Sequence, residues 1–217
     1  MNREILDQII DEIIKNDGRS GIIASRSGSA HPGEAAWNAW VPEIARKSPV
    51  EALASLGSSW NGLAQPAVEE RLLTWGPNRQ PLAARRQKGL AGWFRRWARN
   101  LDSQNRTCVI RSRDRGARPL WVAPDQLAPG DLVLLSAGET VPADVRLLRV
   151  REFRVDERVL TGNSRPVAKA SHWDKAGGGP FGITDLAYGG TRVVGGTATG
   201  VVVATGEGML LAILGQA

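Results

Sequence analysis

Val155 to Lys169 is VDERVLTGNSRPVAK. A strand-like run, Phe153 to Leu160, enters a turn at Thr161-Gly162-Asn163-Ser164 and leaves through Pro166-Val167-Ala168-Lys169. Gly162 permits positive φ or a close backbone approach. Thr161, Asn163 and Ser164 are the short polar side chains that turns favour. Taken alone the stretch is a polar loop between strands, and its weight depends on what surrounds it.

Working outward, the chain from Arg106 onward has the texture of β structure. Thr107 to Ser112 reads as a strand, Arg113 to Gly116 as a hairpin turn, and Pro119 to Val122 as the return strand. Leu127 to Leu135 (LAPGDLVLL) and Gly138 to Leu148 (GETVPADVRLL) each read as a turn feeding an apolar strand. A Gly-rich excursion follows at Lys175 to Gly182. Leu186 to Val194 and Gly195 to Thr205 then read as two strands joined at Gly195-Gly196. About seven short strands at roughly 8–12-residue spacing predict a β-sandwich or jelly-roll-like barrel.

The chain before Arg106 is different. Residues 4–15 (EILDQIIDEIIK) place Ile5, Leu6, Ile9, Ile10, Ile13 and Ile14 on one helical face. Asp17-Gly18 ends that helix, which is short enough to need a partner surface, its own domain or a second copy of the chain. Residues 17–47 are rich in Gly, Ser and Ala and read as a loose linker. Ser48-Pro49-Val50-Glu51 is a helix start with an N-cap Ser, a Pro at the first position and an acid in the first turn. A second helix runs from Gln65-Pro66 to Trp75, closed by Gly76-Pro77-Asn78, so 48–78 reads as a helical hairpin. The class is mainly β with an N-terminal helical segment, α+β overall, divided at 1–16, 17–47, 48–82, 83–105 and 106–217.

Composition excludes several functions. The 217 residues are 42% hydrophobic and 23% charged, an ordinary globular balance. One cysteine, Cys108, rules out an internal disulfide and reads as a small strand residue. The two histidines, His31 and His172, give no metal-ligand spacing. No signal-peptide pattern opens the chain, and no stretch reaches the ~18–20 apolar residues of a membrane span. A cytoplasmic place, or the cytoplasmic face of a membrane, is expected.

Charge is concentrated. Ala83 to Arg118 holds 11 Lys/Arg against two Asp, a net +9, while the whole chain is +6 and the remainder therefore −3. Within 83–100, Arg85, Arg86, Lys88, Arg95, Arg96 and Arg99 alternate with Leu90, Trp93, Phe94 and Trp97. A packed amphipathic helix with a solvated basic face is the first reading. Binding to an anionic membrane surface is the second. Nucleic acid comes last, because no recognised binding module accompanies the patch.

The ordered set of motifs carries more than any member. Pro129-Gly130-Asp131 is followed by Gly138-Glu139-Thr140-Val141-Pro142-Ala143-Asp144. The Val155–Lys169 stretch comes next, then Gly190-Thr191-Arg192-Val193, and last Gly200-Val201-Val202-Val203-Ala204-Thr205-Gly206. This set resembles the actuator domain of the P-type ATPases, membrane pumps that pass through an aspartyl-phosphate intermediate. Gly62-Leu63 and Trp75-Gly76-Pro77-Asn78 resemble the N-terminal cation-ATPase segment of that family. The resemblance spans about 48–217 and is nearest to the calcium- and magnesium-type pumps.

The resemblance implies a mechanism. The actuator domain turns toward the phosphorylated aspartate of another domain, and a Thr-Gly-Glu-Ser loop presents a glutamate to the attacking water. Thr161, Gly162 and Ser164 match, but Asn163 stands in place of the glutamate. An amide cannot serve as a general base, and it is one methylene shorter.

The family's membrane hairpin, its Asp-Lys-Thr-Gly phosphorylation motif and its nucleotide domain find no match in this sequence. Catalysis by this chain alone is therefore not expected, and it carries no cofactor of its own; ATP and Mg would be bound by domains it lacks. The expected partners are the remaining pump domains or another pump. An anionic membrane surface and a dimer through the 4–15 helix are further possibilities. The chain is either a natural truncated relative of such a pump or one with its membrane parts excised; the alternative is a stand-alone regulatory or interaction protein on an actuator scaffold, docking to a membrane surface or a pump.

Overall fold

Apolar residues occur at both parities of the central strands, so each sheet face must be covered. A computed structural model, which describes residues 41–79, 106–113, 116–172 and 183–216, has that arrangement. The expected helix at 4–15, the linker up to residue 40, the basic 83–105 segment with Arg85, Arg86, Lys88, Arg95, Arg96 and Arg99, and the Gly-rich excursion from 175 lie outside the described residues.

The described chain is mainly strand. We number its elements α1 (Pro49–Ser55), β1 (Leu63–Ala64), α2 (Gln65–Trp75), β2 (Thr107–Arg113), β3 (Gly116–Val122), β4 (Leu132–Ser136), β5 (Asp144–Asp156), α3 (Arg158–Thr161), β6 (Val167–Ala168), β7 (Leu186–Ala187), β8 (Arg192–Ala204) and α4 (Leu210–Gln216). One sheet runs β1-β2-β4-β8-β5-β6, with β3 on β2 and β7 on β5. Its spine is the antiparallel pair β5 and β8, which pairs from Val145↔Val202 to Asp156↔Arg192 with register shifts along the way.

Each face of the sheet is buried by alternate residues of the same strands. Cys108, Ile110, Leu132, Leu134, Val201 and Val203 face one cluster, joined by Leu53 and Leu56 from the α1 helix and its end, and by Leu210 and Ile213 from α4. Val109, Val133, Leu135, Val145, Leu147, Phe153, Val155 and Val202 face the other. Full burial of each such side chain contributes about 1.5–3 kcal/mol.

Four sequence expectations are corrected. The strand expected over Phe153–Leu160 ends at Asp156, where the chain makes a single helical turn. The Asp156 Oδ1 accepts the Arg158 N–H at 3.1 Å, and the Glu157 carbonyl accepts those of Leu160 and Thr161. That strand is also the far half of β5, continuous with the one expected at Gly138–Leu148.

The third correction concerns Gly195-Gly196, which lies inside one long β8 opposite a β-bulge of β5 and is not a turn. Gly196 has φ +71, and a Cβ there would lie 2.2 Å from the Arg151 carbonyl oxygen. Opposite it Glu152 has φ +51, and the register shifts between Arg151 and Arg154. Strand continuity survives because Gly196, without a Cβ, leaves room for the bulged β5 backbone.

Fourth, the loose-linker reading of 17–47 fails over its last residues. Positions 41–46 are helical, with Val41, Ile44 and Ala45 buried in the first cluster. Their apolar spacing was hidden by the Gly/Ser-rich run before them.

Within 48–78 two helices are present, Pro49–Ser55 and Gln65–Trp75. Ser48 and Glu51 make a reciprocal capping box, with Ser48 N–H donating to Glu51 Oε2 at 3.0 Å. The segment is not a free-standing hairpin, however. Between its helices β1 pairs in parallel with β2 through Leu63↔Arg111 and Ala64↔Ser112. Arg71 of α2 donates to the Pro129 carbonyl at 2.5 Å and the Leu56 carbonyl at 2.7 Å.

Candidate functional site

The Thr161–Ser164 loop stands on the end of β5. Thr161, Gly162, Asn163, Ser164, Arg165 and Pro166 are all exposed. The α3 turn raises them. Its C-cap, Gly162, has φ 73 and ψ −10, the left-handed geometry anticipated for this glycine. The loop then fastens itself: Thr161 Oγ1 donates to the Glu157 carbonyl at 3.1 Å, and the Asn163 N–H donates to Thr161 Oγ1 at 3.2 Å. The Arg165 N–H donates to Asn163 Oδ1 at 3.0 Å, an Asx-turn.

The chemistry available at Asn163 follows from these bonds. Its carbonyl oxygen is occupied by the loop's own backbone. What it offers solvent is the oxygen's remaining lone pair and an amide N–H₂, neither of which takes up a proton at ordinary pH.

Beneath the loop lies a group of buried charges. Lys169 Nζ meets Glu157 Oε1 at 2.5 Å, with the two side chains 0% and 1% exposed. Lys169 Nζ also donates to the Ile183 carbonyl at 3.3 Å and lies 5.1 Å from the centre of the Tyr188 ring. Next to it Arg146 Nη2 pairs with Asp185 Oδ2 at 3.0 Å and donates to the Lys47 carbonyl at 2.9 Å. Two acids and two bases make the group neutral in sum. Burial raises the Glu157 carboxyl above its usual range against the pull of Lys169, and it lowers the Lys169 ammonium. Burial also raises Asp185 to about 6, with Arg146 opposing.

The other motif residues serve the scaffold. Asp131 is fully buried and takes the Arg111 guanidinium side-on, Nε to Oδ1 at 2.9 Å and Nη2 to Oδ2 at 2.7 Å. Asp144 accepts the Gly189 and Leu210 N–H groups, each at 2.7 Å. Glu139 Oε2 accepts the Ser136 N–H at 2.9 Å. Cys108 is buried, and its thiol is pushed up to about 12 by that burial, so it stays protonated. Asn78, seen in the sequence only as part of a helix stop, donates to the Pro124 and Pro142 carbonyls at 3.0 and 2.9 Å. It also accepts the Gly206 N–H at 2.8 Å.

Sequence reasoning quoted Glu157 and Lys169 without giving them a role, and it passed over Arg146 and Asp185. One signal was present. Arg146 interrupts the apolar DVRLL of a strand buried on both faces, so its charge requires an internal partner. Among the described residues no His, Cys, Asp and Glu side chains group as metal ligands, and no helix is long and apolar enough to cross a membrane.

Comparison with known proteins agrees with this architecture. Residues 44–93 match the family described as cation transporter/ATPase, N-terminus. The magnesium-transporting ATPase, P-type 1, of Salmonella typhimurium is 39% identical over 107 residues, 48% of this chain and 12% of that protein. The corresponding protein of Escherichia coli is 45% identical over 88 residues, 40% of this chain and 10% of that protein. The probable cation-transporting ATPase F of Mycobacterium tuberculosis is 48% identical over 82 residues, 38% of this chain and 9% of that protein. The chain thus spans about a tenth of the length of these curated relatives. A zinc-transporting PIB-type ATPase crystallised in an E2.Pi state aligns over 67% of this chain and 19% of its own, at 24% identity and TM-score 0.39. The P-type ATPase actuator-domain family matches residues 103–216, more than half of the sequence, and the chain belongs to that family.

Proposed function

We propose that this chain acts as the actuator unit of a cation-transporting P-type pump, and that its Thr161–Ser164 loop meets the aspartyl phosphate of another pump domain without supplying a general base. The names of its relatives favour a cation, magnesium among them, as the cargo of that pump. The observation that carries the second half is Asn163. An exposed, self-fastened loop on a rigid strand end is suited to be presented to a partner domain. The side chain at its tip, however, has its oxygen tied to Arg165 and a nitrogen that cannot accept a proton. The loop therefore retains shape and hydrogen-bonding capacity and lacks proton-accepting capacity.

General-base catalysis is worth ~10²–10⁴-fold in rate. A complete pump carrying this actuator sequence is expected to release phosphate from its aspartate slower by about that factor than the same pump with Asn163→Glu. Single-turnover decay of the radiolabelled phosphoenzyme measures the rate directly. Equal decay with Asn and with Glu would overturn the proposal.

A further inference from the structure

The loop that this reading brings to a phosphoryl group has to be held in one place by something below it. Its own hydrogen bonds fix its shape but not its position on the domain. The two chain ends that carry it are the start of α3 at Glu157 and the exit of β6 at Lys169. Those residues are the ones that meet in the buried ion pair. The pair therefore closes the base of the loop, end against end.

We propose that Glu157 and Lys169 are positioning residues, a buried clamp that fixes where the Thr161–Ser164 loop stands. The proposal takes its functional meaning from the reading above, though its geometry is independent of it.

Each half of the clamp is anchored twice. The main-chain carbonyl of Glu157 receives the N–H groups of Leu160 and Thr161 at 2.9 and 3.0 Å and the Thr161 hydroxyl at 3.1 Å. Its carboxylate goes down to Lys169. The same residue thus starts the α3 turn above and grips the core below. Lys169 is held by its own N–H to the Phe153 carbonyl at 2.9 Å, so its backbone is stitched to β5. Its ammonium is fixed by Glu157, by the Ile183 carbonyl and over the Tyr188 ring.

Asp185 and Arg146 lie behind it and complete the alternation of sign. Arg146 extends the anchorage to the Lys47 carbonyl and to the Ser171 carbonyl, the latter at 3.2 Å. Leu160, the residue before Thr161, packs against the same apolar cluster as Val41 and Ile44. A buried pair of this kind adds little net stability over a well-packed apolar pair, but losing one partner is expensive. That asymmetry suits a device whose value lies in geometry.

The test is site-resolved amide hydrogen exchange on the full chain. The amides read are Leu160, Thr161 and Gly162, which donate within the α3 turn, and Lys169; the controls are Leu134 and Val202 in the sheet. Lys169→Met is expected to speed exchange at the loop amides by at least about tenfold, equivalent to about 1.4 kcal/mol of local opening, with the sheet amides changed much less. Glu157→Gln, nearly the same size, gives the same pattern and serves if Lys169→Met does not fold.

The double variant is expected to loosen the loop no further than the worse single, because removing both charges leaves none unpaired. Loop exchange that is unchanged, that rises only in parallel with the sheet, or that is additive in the double variant would overturn the clamp. The readout is independent of phosphate chemistry. A loosened loop together with equal phosphoenzyme decay for Asn163 and Glu would leave the clamp standing and refute the lost-base reading.

Discussion

Replacing Asp131 by Asn isolates one charge at constant volume. Asp131 is 0% exposed and its carboxylate receives three donors: Arg111 Nε on Oδ1, with Arg111 Nη2 and the Ala128 N–H (2.9 Å) on Oδ2. An asparagine can turn its oxygen toward the two donors at Oδ2. Its N–H₂ then faces the Arg111 Nε–H, two donors against each other, and the buried guanidinium loses its counter-charge. Gln126 supplies only a carbonyl oxygen, at 2.7 Å from Nη2.

Breaking such a pair typically costs about 3–5 kcal/mol. For a domain of this size that corresponds to a melting temperature lower by roughly 6–20 °C. Urea unfolding followed by circular dichroism gives the free energy, with the slope against denaturant unchanged if the native fold is kept. Removing both charges, Arg111→Met with Asp131→Leu, is expected to cost less than the two single changes together. A loss below about 1 kcal/mol for Asp131→Asn would refute the reasoning, since it is the size of an ordinary solvated pair.

Two glycines with nearly the same φ separate strain from collision. Gly162→Ala meets nothing within 4 Å, so only the left-handed backbone is charged against it, about 1–2 kcal/mol. Gly196→Ala adds a Cβ 2.2 Å from a carbonyl oxygen and is expected to lose well over 2 kcal/mol in the same urea assay; equal losses would contradict the bulge.

Asp185 tests the buried charges by pH. Its ordinary value of 3.8 is raised to about 6, so folding takes up a proton between those values. The stabilisation from that uptake is complete below about 3.8 and lost as pH rises through about 6. The stability of the parent relative to Asp185→Asn should therefore fall between about pH 4 and 7. A difference that grew with pH would show that Arg146 outweighs burial.

Much of the scaffold can be read from local chemistry. The capping box at Ser48 and Glu51, the left-handed Gly162 and the apolar runs at Thr107 and Leu132 are each specified within a few residues, and each formed. What escaped is non-local. The Gly195-Gly196 pair has the composition of a turn, and only the facing strand, bulged at Glu152 with positive φ, keeps it inside β8. Leu63-Ala64 becomes a strand solely because β2 lies beside it. The helix at 41–46 depends on a core assembled from residues far along the chain.

At the candidate site the same division holds. Thr161, Gly162, Asn163 and Ser164 stand out by their order, and their mutual hydrogen bonds are short-range. The pairing of Glu157 with Lys169, and of Arg146 with Asp185, comes from tertiary packing. No periodicity reports which buried acid meets which buried base.

Asn78 has a mechanical consequence. Its single carboxamide holds the chain just after α2 to the Pro142 carbonyl ahead of β5 and to Gly206 just before α4. Tension applied along the polypeptide on either side, beyond Arg79 or beyond Gly208, arrives at one junction instead of at the free end of a strand. Load there is shared by bonds pulled together, whereas a strand end would unzip one bond at a time. The stretch after α2 and the stretch before α4 are thus tied to one side chain, and a pull on either is expected to strain the same hydrogen bonds.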